Sequence, residues 1–397
     1  MEEGRKLVSI VTKEPIPQGG AATNRILAYS KAIEFAGGDV EIVLYRPSSR
    51  PNPESYHGAS IINTSRIRLW PPKGKDKFKK LWITISGLMG LWGYAFKKRA
   101  AISCIIIFDL NRFVNISLLL LTKIMSIRCV KEKNEVPKVL INNKGLAYLS
   151  RIFDRWMYSR FDGLITISEE LVAYFYTIRR DGICHIPILV DQSIFHDDSY
   201  VGTGNNDFVY AGGGGGWKRD GAISILKSFA EYAKVSDKHN LKFIGIDMRD
   251  KDIMSEINRL IDELGIRERV SLLGYIDSSS LKMHFLKCHA LLLVPPNNYI
   301  SLGFPTKLGE YMVSGRPVIL SDITSHKNVI PNDCVVYTKA GDYVDLSEKM
   351  IWCSQNDESI TQIGERGREF ALAEFSIESN AKKLFEFCLG RIRIVFL

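Results

Sequence analysis

Phe208-Val-Tyr-Ala-Gly-Gly-Gly-Gly-Gly-Trp-Lys-Arg-Asp220 decides how this chain is read. A short apolar strand runs into a loop without side chains from Gly212 to Gly216, and the loop ends in two cations, Lys218 and Arg219. Five glycines lose much chain entropy on ordering, so such a loop serves close ligand approach or movement better than packing. Lys218 and Arg219 are placed to neutralise a diphosphate. A flexible loop with a solvated Lys-Arg pair is the plainer alternative. Walker A is excluded, because no Gly-Lys-Ser/Thr follows at the required spacing.

Working outward, strand-like and helix-like stretches alternate on both sides of this loop, the pattern of parallel sheets covered on both faces. Before it come Leu7–Thr12, the helix Ala21–Ala36, Val40–Tyr45, Cys104–Asp109 and Gly163–Ser168, which closes the first series. After it, Leu241–Ile246, Val270–Leu273, Ala290–Val294 and Pro317–Leu320 alternate with helices such as Ala222–Val235 and Asp252–Leu264. The reading is α/β, with two doubly wound domains. Residues 1–190, with 376–397 packing back on them, form the first, and residues 191–375 the second. The length of 397 residues suits two domains.

Two further loops carry candidate chemistry. Gly19-Gly20 precedes a helix, where a backbone can approach an anion, although the spacing is not GxGxxG and a plain turn remains open. The stretch from Asn297 to Ile319 reads as a polar loop, a helix containing Glu310, a Gly315 cap and a strand. A carboxylate in the first turns of such a helix can accept both hydroxyls of a ribose.

Together these parts resemble, over nearly the whole chain, the GT-B glycosyltransferases of the large retaining family 4. The parts that carry the resemblance are Gly19-Gly20, Asp162–Ser168, Pro187–Asp191 with Phe195, Gly212 with Lys218, Val270–Tyr275 and Pro305-Thr-Lys-Leu-Gly-Glu310. The resemblance implies two Rossmann-like domains with a cleft between them and a last helix, Ile377–Leu389, crossing back to the first. It implies a nucleotide-sugar held mainly by the second domain and an acceptor held mainly by the first. The reaction expected moves a sugar from a UDP- or GDP-sugar to a hydroxyl of a glycan or, given the basic stretch 66–99, a lipid-linked acceptor. Donor contacts fall on Gly212, Gly213, Tyr275, Thr306, Lys307 and Glu310. Lys218 and Arg219 stabilise the leaving phosphate, Gly19 and Gly20 form the phosphate or acceptor loop, and Asp109 and Glu135 are candidate acceptor-binding carboxylates.

Two positions depart from the family pattern. Gly213 stands where an arginine is usual, and Leu302 stands where the first of two glutamates is usual. A nucleotide-sugar 2-epimerase on the same fold and a catalytically degenerate, membrane-bound partner subunit are therefore the alternatives. Product analysis separates the first from a transferase, and nucleotide binding the second.

Residues 1–195 hold 29 Lys/Arg against 17 Asp/Glu, and residues 196–397 hold 24 against 27. Much of the excess lies between Arg66 and Arg99, with Lys73, Lys75, Lys77, Lys79 and Lys80 ahead of an apolar run bearing Trp82 and Trp92. Cations flanking such a run suit an anionic bilayer surface. Nucleic acid is not expected as a partner, since the aromatics are not interleaved with the lysines as stacking platforms. A core helix with charged ends is the plainer alternative. The N-terminus lacks a secretory signal, and no apolar run reaches the ~18–20 residues of a spanning helix. The expected location is cytoplasmic, peripheral on the inner face of the cytoplasmic membrane. Seven cysteines without a CxxC pair, and histidines without triad spacing, predict neither disulfides, nor a metal site, nor a cofactor.

Overall fold

A computed structural model describes residues 5–17, 19–47, 53–65, 77–108, 111–135, 146–195, 207–212, 221–296 and 304–393. They fall into two compact units, residues 1–189 with 376–397 and residues 190–301 with 305–375.

In the first unit, β1 (Leu7–Thr12) leads through α1 (Ala21–Phe35) to β2 (Asp39–Leu44), the short β3 (Ser55–Tyr56) and β4 (Ala59–Asn63). Then follow α2 (Lys77–Lys98), β5 (Ile102–Phe108), α3 (Arg112–Met125), β6 (Arg128–Lys133), α4 (Leu146–Tyr158), β7 (Gly163–Thr166), α5 (Glu169–Tyr176) and β8 (Ile183–His185). The strand order is β3-β4-β2-β1-β5-β6-β7-β8, parallel except for the β3–β4 hairpin. Every residue of β1 is buried, as a strand covered on both faces requires. The order runs one way from β1 to β4 and the other way from β5 to β8. Right-handed crossovers therefore put α1 on one face and α2, α3, α4 and α5 on the other.

One sequence expectation fails here. Gly163–Ser168 does not close the series, because β8 pairs beyond β7. The Arg-Cys-Val-Lys-Glu-Lys stretch of β6 is not among the strands expected from the sequence. In the fold it lies between β5 and β7, and Lys131, Glu132 and Lys133 are all buried. The Lys131 ammonium donates to the Ile107 carbonyl at 2.9 Å, and Glu132 accepts from Arg25 at 2.6 Å, so tertiary partners offset desolvation.

The second unit runs β9 (Phe208–Ala211), α6 (Ala222–Ala233), β10 (Leu241–Ile244), α7 (Lys251–Glu263), β11 (Val270–Leu273), α8 (Ser278–Lys287) and β12 (Ala290–Leu293). It continues through α9 (Thr306–Val313), β13 (Val318–Ser321), α10 (Thr324–Lys327), β14 (Val336–Thr338), α11 (Tyr343–Gln355) and α12 (Asp357–Phe375). All neighbours in the order β11-β10-β9-β12-β13-β14 are parallel, the Rossmann arrangement. The last helix, α13 (Ile377–Cys388), joins the first unit. Its Ile377, Leu384 and Phe385 share a core with Ile26, Tyr29 and Ile33 of α1, each burial contributing about 1.5–3 kcal/mol.

Candidate functional site

The strand order of the second unit reverses between β9 and β12, and open α/β sheets bind ligands outside the carboxyl ends of strands at such a point. Gly212 follows β9 there. Its N–H donates to the Ile244 carbonyl at 2.9 Å, and a Cβ at this position would stand 2.1 Å from the Tyr210 hydroxyl oxygen. Glycine is thus required by packing against Tyr210. Gly221, at the N-terminus of α6, has φ +87°, and a Cβ there would stand 2.0 Å from the Val294 carbonyl oxygen. Gly212 and Gly221 therefore both stand at the switch point, one after β9 and one beside the end of β12.

The helix after β12 completes the arrangement. Pro305 precedes α9 without a side-chain cap, so its first-turn N–H groups have no capping side chain. The Tyr311 hydroxyl, fully buried, accepts from the Ala211 N–H at 2.8 Å and donates to the Ala211 carbonyl at 3.3 Å. One side chain therefore locks α9 onto the residue before the glycine run. Thr306, Lys307 and Glu310 are half-buried, and the Lys307 ammonium lies 5.6 Å from the Tyr210 ring centre. Desolvation pushes the Glu310 carboxyl up to about 7, against the opposing charge of Lys307. Among the described residues no hydrogen bond or ion pair reaches that carboxylate.

Tyr275 stands elsewhere, 63% exposed beyond β11, the edge strand two places from β9. Lys218, Arg219 and Gly213 lie outside the described residues, as do Asp109, Lys73 and Lys75. In the first unit, Gly19 is packed so that a Cβ would meet the Thr23 hydroxyl oxygen at 1.9 Å, whereas Gly20 opens onto free space. α1 starts at Gly20 without a side-chain cap and without an acid in its first turn. Glu135 is exposed, while Glu132 is the carboxylate held in place, on Arg25. Sequence reasoning missed Arg25, Glu132 and Tyr311. Tyr311 follows Glu310 directly, but nothing in its spacing separates a core aromatic from one that bonds a strand end.

In the basic patch, Lys79 and Trp82 are exposed on α2, Lys80 is half-buried, and Trp92 is half-buried with its indole N–H donating to Ser117 at 3.1 Å. Lys77 opens the helix, its side chain outside the described residues. All seven cysteines are free and buried. Among the described residues no group of three or more His, Cys, Asp or Glu could hold a metal ion, and no helix is long and apolar enough to cross a membrane. Two cavities, about 320 Å³ beside Lys123, Arg128 and Arg160 and about 210 Å³ beside Lys242 and His284, open where strands begin, away from the switch points.

Residues 204–370, less than half of the chain, match the family described as Glycosyl transferases group 1. No curated protein matches the sequence. Among solved structures, sucrose-phosphate synthase from Thermosynechococcus elongatus is 17% identical, with a TM-score of 0.76 over 98% of each chain. HepE of Anabaena, solved with UDP and glucose, is 13% identical, with a TM-score of 0.70 over 98% of this chain and 100% of its own. WaaG, a glycosyltransferase involved in lipopolysaccharide biosynthesis, is 13% identical, with a TM-score of 0.64 over 96% of this chain and 100% of its own. At these identities the likeness is one of fold. The chain has the GT-B fold, and residues 204–370 of its second unit match the Glycosyl transferases group 1 family.

Proposed function

We propose that this protein is a retaining glycosyltransferase of family 4 that moves a hexosyl group from a UDP- or GDP-sugar to a hydroxyl of a glycan or lipid-linked acceptor. The setting proposed is bacterial surface polysaccharide or glycolipid synthesis on the inner face of the cytoplasmic membrane. The observation that carries the reading is Glu310, a carboxylate that no described residue hydrogen-bonds, at the switch point of the stretch that matches the group 1 family, on a helix tied through Tyr311 to Ala211. The structure of HepE with UDP and glucose supports the choice of donor class.

Breaking the bond between sugar and diphosphate builds negative charge on the departing oxygen and positive character at the sugar. Lys218, Arg219 and the first-turn N–H groups at Thr306 and Lys307 act on the first charge. Glu310 accepts the ribose hydroxyls. Retention follows when the acceptor hydroxyl attacks from the face the diphosphate leaves, the leaving phosphate taking the hydroxyl proton. The first unit recognises the acceptor, with Gly19 and Gly20 at its phosphate loop and Asp109 and Glu135 as hydroxyl-binding carboxylates.

Thermal-shift binding of UDP, GDP and their sugars, with Glu310→Ala alongside, tests this reading, since a ligand of the native state raises its apparent stability. Stabilisation by one nucleotide series, lost in Glu310→Ala, is expected. A response unchanged in the variant removes Glu310 from the donor site.

A further inference from the structure

The three adjacent helices α2, α3 and α4 lie on one face of the first sheet, as the crossover rule requires, and hydrogen bonds join them in series. Trp92 of α2 donates to Ser117 of α3 at 3.1 Å, and Arg112 of α3 meets Asp154 of α4 at 2.6 Å. Each helix is apolar on its outer side as well as its inner side. On α2, Ile83, Leu91 and Ala95 are fully buried, while Phe78, Trp82, Met89 and Phe96 are 63–88% exposed, one and two helical turns apart along an outward stripe. Steps of three and four residues set out a like stripe of Phe113, Ile116, Leu120 and Ile124 on α3, and of Leu149, Ile152 and Trp156 on α4, all exposed. Three outward stripes side by side form an apolar area of a kind that monomeric soluble proteins rarely leave open.

The charges on this face have one sign. The sole carboxylate on the three helices is Asp154, which is buried against Arg112. The cations stand beside the exposed aromatics, Arg99 over Phe96 at 5.6 Å, Arg151 over Tyr148 at 6.0 Å and Arg160 over Trp156 at 5.5 Å. Paired with a second copy, such faces would set cation against cation. An anionic lipid surface instead takes the apolar stripes among its acyl chains and the Lys and Arg heads at its phosphates.

We infer that the outer face of α2, α3 and α4 is a docking surface for an anionic bilayer, with α3 and α4 contributing alongside α2. The inference deepens the membrane part of the proposed function and does not depend on the donor site. The test is co-sedimentation of the full chain with phosphatidylcholine vesicles containing about one-third phosphatidylglycerol, and with pure phosphatidylcholine vesicles. Two double variants, Leu120→Glu with Ile124→Glu on α3 and Leu149→Glu with Ile152→Glu on α4, replace side chains that are 48–64% exposed, so the fold stands. Val235→Glu, at an apolar residue 65% exposed in the second unit, is the control.

Binding to the anionic vesicles is expected, with each double variant weakening it at least about tenfold and Val235→Glu leaving it unchanged. Variants that sediment like the unaltered chain overturn the inference. So does equal binding to both vesicle types, or a chain that ignores vesicles and forms a dimer that the variants dissociate. Stabilisation by UDP or GDP, read on the same variants, reports the donor site separately, so a failure of either reading is distinguishable from a failure of the other.

Discussion

Two carboxylates stand near the carboxyl ends of the two sheets, and they are held in opposite ways. Glu132, in the first unit, is buried and paired at 2.6 Å with Arg25, itself buried. Glu310, in the second, is half-buried, is reached by no hydrogen bond from a described residue, and has its carboxyl pushed up to about 7 by desolvation. A buried charge that is already matched serves the fold. A carboxylate kept unmatched at a switch point costs stability and is available to a ligand.

Removing each carboxylate should separate these roles. Glu132→Ala should lower the stability of the first unit by about 3–5 kcal/mol, because Arg25 is left buried without its charge partner. Urea unfolding followed by a probe in the first unit checks this, and a loss under 1 kcal/mol would mean that water reaches Arg25. Tyr311→Phe should cost about 1–3 kcal/mol in the second unit, since the Ala211 N–H loses its acceptor, and should weaken nucleotide binding through the glycine run.

Glu310→Gln should behave in the reverse sense. The folded carboxyl stays protonated to about pH 7 while the unfolded one ionises near 4.5, so stability falls as pH rises between these values and stays lower above them. The Gln variant should therefore melt higher than the unaltered chain at pH 8 and alike below pH 4.5, while binding nucleotide more weakly. A lower melting point at pH 8 would show that Glu310 is matched after all. Nucleotide affinity of the unaltered chain should rise from pH 6 to pH 8 as the acceptor carboxylate ionises.

The smallest effect contrasts two glycines. Gly20→Ala meets nothing within 4 Å and should change the melting temperature little, whereas Gly212→Ala runs into the Tyr210 hydroxyl. Lost activity in stable Gly20→Ala would place a ligand at α1; full activity would leave Gly20 a turn residue. Three histidines set the acid limit. Burial pulls His185, His289 and His326 down to about 4, so the stability they support is present above about pH 6.5 and lost as pH falls towards 4.

The periodicity of Leu7–Thr12 and Phe208–Ala211 and the loops after them were enough to read two parallel sheets, and Pro305–Glu310 enough to point at the second switch point. β6 escaped because Lys131, Glu132 and Lys133 carry the signature of a solvated edge, and only Arg25 and the Ile107 carbonyl, each distant in sequence, make their burial tolerable. The outward stripes of α3 and α4 escaped for a related reason. Leu118 and Leu120 are the same residue type, and which is buried depends on which side of the helix meets the sheet.

Alone, the sequence determined the α/β class, the glycine run, the carboxylate on the helix after Pro305 and the basic excess of the first half, because hydrophobic period, turn residues and charge are local properties. Tertiary structure decided which charges are matched, that Tyr311 ties α9 to Ala211, and that three helices share one apolar, cationic face. Those outcomes depend on which residues far apart in the chain become neighbours, and hydrogen bonds and burial exist only between neighbours.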